Sequence, residues 1–247
     1  MVTPAAVEAL LIKQRHEMDT IAGTYSRRVE RSVVDAQSRI VQAVIRHQGP
    51  VTTGSRVQAL QAAERIVEEV GKASLDVSVK ALPDIIAAGA ARTRKLIRLL
   101  VARGSNLDRI VDTYMAFERS IETQRALVLG STKMQAFMDQ YTVDWVKGWS
   151  GTIQGLQSKF TQASASGLDW RVVARAIVSD AGELVVPGAI DPETFATMFA
   201  RTKVTEIDNL TARAIGAEAG LSLYVNLGVP DDAQAEECYD ATNADTM

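Results

Sequence analysis

The stretch FARTKVTEIDNLTARAIGAEAG, Phe199 to Gly220, reads as one long helix with an unusual polar side. At about 100° per residue, Thr202, Glu206, Asn209 and Arg213 fall within roughly 60° of arc. Phe199, Ile207, Leu210, Ala214 and Ala217 occupy the neighbouring arc. A polar stripe beside an apolar one suits a catalytic wall, a polar seam inside a small domain, or a docking face. Lys203 falls inside the apolar arc, between Leu210 and Ala214, and must either snorkel or pair.

Outward from this helix, Asp191 stands at a cap position and Pro192 at a first helical position, so the helix is expected to start near Pro192. Gly220 is a normal left-handed stop. LSLYVNL, 221–227, alternates Leu221, Leu223, Val225 and Leu227 with polar residues and predicts a half-buried strand. Before the helix, Asp169 caps a short helix through Ile177, and VVPGA, 185–189, makes a turn. Residues 169–247 therefore read as a small α+β domain. QASASGLDW, 162–170, is small and polar, so 162–168 is read as the linker.

Residues 1–161 read as an elongated all-α domain. Val29, Val33, Ile40, Val41, Val44 and Ile45 recur at helical spacing in a segment from Pro4 to about His47, which Gly23 is expected to bend. HQGPVTTGS, 47–55, is a turn-rich link. A second helix carries Val57, Leu60, Ile66, Val67 and Val70 and is expected to stop at Gly71. A third covers Ser74 to Arg103, with a break near Pro83. Leu107, Ile110, Val111, Tyr114, Phe117 and Ile121 mark another helix after a cap at Ser105 or Asn106. Met134, Phe137, Met138, Tyr141, Trp145 and Trp149 repeat the pattern until Gly148, Gly151 and Gly155 weaken it. The expected fold class is mainly α: an elongated N-terminal helical bundle with a small C-terminal α+β domain.

Composition narrows the function classes. The 247 residues are 47% hydrophobic, enough for real cores, and 27 basic against 30 acidic residues leave a net charge of −3. That balance does not suit a general nucleic-acid binder or a polybasic membrane protein. Cys238 is the single cysteine, so an intrachain disulfide and a multi-thiolate zinc site are both excluded. The N-terminus lacks the basic and apolar regions of a signal peptide, and no apolar run reaches membrane-spanning length; a soluble protein is expected.

Candidate sites are few. His16 and His47 are the only histidines and lack acids or thiols at ligand spacing, so they read as surface residues, and no metal or cofactor is expected. Dinucleotide, P-loop, nucleophile-elbow and zinc-protease motifs do not occur. RTRKLIRLLVAR places Arg92, Arg94, Lys95, Arg98 and Arg103 on a helix without an acid. These are candidate contacts for DNA or an acidic protein surface; the alternative is a packed helix whose arginine heads reach solvent along their stems. The acidic C-terminal segment, with Asp231, Asp232, Glu236, Glu237 and Asp240, has calcium-type ligands but no calcium-loop spacing, and reads as a solvated segment.

In order, GLDWRVVARAI, then FARTKVTEIDNLTARAIGAEAGLSLYVNL, then DDAQAEEC make the C-terminal part similar to the phage head morphogenesis family, the minor head proteins related to Mu F. Ala200, Arg201, Thr202, Asn209, Glu218, Ala219, Gly220, Asp232 and Cys238 carry the resemblance. Lys203 stands where the family usually has Glu, the strand lacks a frequent Trp, and Cys238 lacks the second cysteine of a pair. The resemblance covers roughly the last 80 residues. It implies a minor structural protein of a tailed-phage head, bound near the portal vertex and acting in head assembly and DNA packaging or delivery. The implied partners are the portal protein, other head proteins and viral DNA, with self-association allowed, no membrane and no enzymatic activity. On that reading Arg201, Thr202, Glu206 and Asn209 form the internal seam of the small domain, tying helix to strand and loop. The alternatives are a cellular helical adaptor or a carrier with enzymatic activity.

Overall fold

The computed structural model describes residues 4–101, 128–179 and 183–218. Helix α1 is Pro4–Ile45, α2 Thr53–Val101, α3 Thr132–Gly148, α4 Ser150–Ala165, α5 Trp170–Ile177 and α6 Pro192–Glu218. The protein is mainly helical. Among the described residues the only β-pairings are isolated bridges, Pro50 with Asp169 and Val178 with Leu184. The strand expected at 221–227 and most of the helix expected to follow Ser105 lie outside the described residues.

Helices α1 and α2 form a long antiparallel hairpin. Val29, Val33, Ala36, Ile40 and Val44 of α1 and Ala59, Ala63, Val67 and Val70 of α2 supply buried apolar rows at threes and fours. At 1.5 Å per residue the two helices are about 63 and 74 Å long, so the hairpin serves as the spine. Helix α6 lies against both α1 and α2, while α3 and α4 pack on α2.

Helix α2 runs through both of its expected breaks. Gly71 is helical, with a negative φ, and cannot act as a left-handed stop. Its missing side chain makes room for Trp145: a Cβ there would stand 2.6 Å from the indole Cδ1. Trp145 also donates its indole N–H to the Val67 carbonyl at 3.0 Å. Pro83 removes one backbone donor, but Leu82, Ile85, Ile86 and Ala90 around it are buried, and that burial holds the helix together. Gly23 likewise lies within continuous α1.

Local signals set the remaining ends. The Ser131 hydroxyl accepts from the Met134 N–H at 3.1 Å, and Asp169 accepts from the Arg171 N–H at 2.9 Å. Asp191 accepts from the Thr194 N–H at 2.7 Å, with Pro192 opening α6. Gly148, Gly151 and Gly155 form a notch in the α3–α4 corner. Phe195 enters it beside Gly148, and the backbone of Pro187 and Gly188 lies against Gly155 and Gly151.

The segment expected to link two domains is built into the fold. Residues 162–165 finish α4, and Gly167 at φ +62° closes it. The Gly167 N–H reaches the Ser164 carbonyl at 3.3 Å, and the Leu168 N–H reaches that of Ala163 at 3.0 Å, the Schellman pattern. The Leu168 carbonyl then accepts from the Val51 N–H at 2.8 Å. One apolar core extends from Ala22 to Ile207, so 162–168 does not separate two cores among the described residues.

Candidate functional site

The chemistry-bearing side chains converge on the inner face of α6. Lys203 is 1% exposed, yet its Nζ donates to Asp144 Oδ2 of α3 at 2.5 Å and to Glu206 Oε2 at 2.9 Å. The Phe137 and Phe199 rings flank the ammonium, with centroids at 5.3 and 5.7 Å. Burial raises the Asp144 pKa, but hydrogen bonds from Lys203 and Gln140 outweigh it and hold the carboxyl below its ordinary range. Burial lowers the Lys203 pKa, and the bonds to Asp144 and Glu206 reverse this, leaving it raised. The lysine pairs rather than snorkels.

A second charged contact joins α6 to α2. Arg92 pairs with Asp208, whose other carboxylate oxygen is buried without a hydrogen-bond partner. Burial lowers the Arg92 pKa. Gly89 lets the carboxylate approach, since a Cβ there would stand 2.8 Å from Asp208 Oδ1. Thr211, beside it, is fully buried and donates to its own helix at the Ile207 carbonyl, 2.8 Å away.

A cluster of hydroxyls lies between α1, α2 and α3. The Tyr141 hydroxyl is 2.8 Å from that of Tyr25 and 2.9 Å from the Ser74 and Ser78 hydroxyls. Tyr25 and Ser78 are also bonded to each other, and Ser78 donates to the Ser74 carbonyl at 2.6 Å. Burial, then the neighbouring Tyr141, pushes the Tyr25 hydroxyl above the tyrosine range. The edge of Phe199 against Tyr141, 5.0 Å between centroids, separates this cluster from Lys203.

The stripe that drew attention in the sequence lies elsewhere. Arg201, Thr202, Asn209 and Arg213 are exposed and Glu206 is half-buried. Thr202 donates to the Met198 carbonyl of its own helix at 3.0 Å. Glu206 bonds Lys203. The seam expected from Arg201, Thr202, Glu206 and Asn209 is therefore carried by Lys203, Glu206, Asp208 and Thr211, because α6 turns Phe199, Ala200, Val204, Ile207 and Ile215 inward and the stripe outward. Gly220, Asp232 and Cys238 lie outside the described residues.

The basic helix divides as well. Arg92 is committed to Asp208, and Lys95 is exposed. Arg103 and the side chains of Arg94 and Arg98 lie outside the described residues. Asp144 and Asp208 were missed in the sequence, although both sit beside buried positions: Asp144 next to Trp145, Asp208 next to Ile207. An acid at the edge of an apolar row, with a misplaced lysine on another helix, was the available signal.

Among the described residues no three histidine, cysteine or acidic side chains are placed to hold a metal ion, and no helix is long and apolar enough to cross a membrane. An open groove of about 1000 Å³ runs between α2 and the α3–α4 corner, with Val143, Val146 and Ile153 on one wall and Glu64, Arg65 and Glu68 on the other. No family model, no curated protein and no solved structure matches the chain.

Proposed function

We propose that the protein is a minor structural component of a tailed-phage head, bound near the portal vertex and acting in head assembly and in DNA packaging or delivery. One observation carries the reading. The Ala200, Arg201, Thr202 and Asn209 of the resemblance fall on a single helix whose inner face is pinned by Lys203–Asp144 and Arg92–Asp208. Its outer face presents Arg201, Thr202 and Asn209 to solvent. A rigid helix with an exposed polar stripe suits docking to a protein surface better than turnover, which needs a nucleophile, a tuned base or a metal. The portal protein and other head proteins are the proposed partners, with viral DNA and a second copy of the chain as further contacts, and no catalytic step is included.

Quantitative mass spectrometry of purified particles and portal-containing assemblies tests the proposal. The chain should be present at low copy, and its deletion should reduce infectivity or DNA delivery more than shell formation. Its recovery only as free protein, absent from immature and mature heads, would overturn the reading in favour of a cellular helical adaptor.

A further inference from the structure

A cleft of about 290 Å³ opens between the C-terminal half of α1 and the first part of α2, with no α6 residue in its lining, and three arginines line it: Arg39, Arg46 and Arg65. By volume it holds about ten waters. Its floor is small and apolar, formed by Ala43, Ala62 and Ile66, and Gln42 and Glu69 complete the lining. The three guanidinium groups are not equally committed. Arg39 reaches Glu69 at 2.5 Å and Asp35 at 3.9 Å, so its charge is answered within the protein. Arg65 gives its Nε–H to the Gln61 carbonyl at 3.3 Å, which leaves both terminal amino groups available. Arg46 makes no side-chain bond among the described residues and is exposed. Arg46 and Arg65 both line the cleft, and among the described residues neither guanidinium is paired with a carboxylate; planar forks of this kind bind a tetrahedral anion through paired N–H donors.

We propose that this cleft binds a small phosphate-bearing ligand, with Arg46 and Arg65 as the charged contacts and Gln42 as a neutral one. The surroundings select for size. Glu69 lines the cleft but is paired with Arg39, and Asp35 beside Arg39 is exposed, so a long polyanion laid across this face would meet carboxylates at its rim, whereas one or two phosphoryl groups against Arg46, Arg65 and Gln42 meet mainly donors. Ala43 and Ala62 keep the floor open, and a larger side chain at either position fills the space without altering any charge.

The test is calorimetric titration of the full chain with pyrophosphate at low ionic strength, beside a short DNA duplex as comparison. Saturable pyrophosphate binding is expected, weakened about tenfold or more by Arg46→Gln and by Arg65→Gln. Ala62→Leu and Ala43→Leu should weaken it similarly, with helical circular dichroism unchanged in at least one of them. Absence of saturable binding overturns the proposal. So does undiminished binding in both filled variants, which would make the arginines a solvated charged face. Tighter binding of the duplex, displacing pyrophosphate, would assign the face to a nucleic-acid backbone instead and equally overturn it.

Discussion

Lys203 of α6 and Asp144 of α3, 59 positions apart in the chain, meet at 2.5 Å with the lysine almost fully buried and the acid still in partial contact with water. That asymmetry matters energetically. A lone buried ammonium is costly, but here it has two carboxylates and two ring faces, while each carboxylate retains some hydration. The pair fixes how α6 sits on α3 at the level where Phe199 meets Tyr141.

Removing one partner should therefore depend on which one goes. Asp144→Ala leaves Lys203 buried with Glu206 as its single acid and is expected to cost about 2 kcal/mol. Lys203→Met keeps the apolar stem and frees two partly hydrated acids, and should cost about 1 kcal/mol or less. Urea unfolding of both variants checks this. A neutral Asp144→Ala beside a strongly destabilising Lys203→Met would mean that the ammonium's contacts with Glu206 and the two rings, rather than its pair with Asp144, hold the joint.

The same pair sets opposite pH limits. The Asp144 pKa is lowered in the fold, so its contribution is present above the ordinary aspartate value near ~3.9 and disappears as pH falls through the lower folded value. The Lys203 pKa is raised, so its contribution is present below the ordinary lysine value near ~10.4 and is lost as pH rises through the higher folded value. Thermal melts against pH should show a shallower acid limb for Asp144→Asn below about pH 4 and a shallower alkaline limb for Lys203→Met above about pH 10. Limbs unchanged from the parent protein would assign acid and alkaline unfolding to other groups.

Helical spacing and two of the caps were legible in the sequence: Asp169 and Asp191 both cap where their side-chain chemistry says they should. The inner face of α6 was harder. Phe199, Ile207, Leu210 and Ala214 mark only one edge of it, and the buried face continues through Ala200, Thr211, Val204, Ile215 and Asp208, about half the circumference. A helix touching several neighbours buries more of its surface than one lying on a single partner, and a reading of one helix does not reveal how many neighbours it has. The glycines misled for a related reason. Gly71 has the composition of a stop but serves a tertiary contact with a tryptophan 74 residues away. The cross-helix partners Asp144 and Asp208 belong to the same class, since nothing local ties them to Lys203 and Arg92.

Two glycine substitutions separate propensity from packing. Gly23 is exposed on α1, with nothing within 4 Å of an added Cβ, so Gly23→Ala should stabilise by about 0.5–1 kcal/mol. Gly71→Ala gains the same propensity but drives a methyl group into Trp145, where Cδ1 would stand 2.6 Å away and Cγ 3.0 Å away. Net destabilisation of about 1–2 kcal/mol is expected, as for other overpacked cores. Tryptophan fluorescence should shift in Gly71→Ala and remain constant in Gly23→Ala. Equal stabilisation of both variants would show that Trp145 has room to move.

Tyr25 and Tyr141 share one buried hydroxyl cluster with Ser74 and Ser78. Tyr141→Phe removes the oxygen that meets Tyr25, Ser74 and Ser78. Ser78 keeps its bonds to Tyr25 and to the Ser74 carbonyl, so the variant leaves the Ser74 hydroxyl as the least satisfied group. The expected cost is about 1–2 kcal/mol. Tyr25→Phe should cost a similar amount, because Ser78 and Tyr141 then lose a shared partner. The two changes act on one network, so the double variant should lose clearly less than the sum of the singles. Apolar contacts of the two rings are nearly unchanged in all three proteins, which isolates the hydroxyls. A double-mutant cycle by chemical denaturation measures the coupling directly, and strict additivity would show that Tyr25 and Tyr141 stabilise the helix crossing as separate residues.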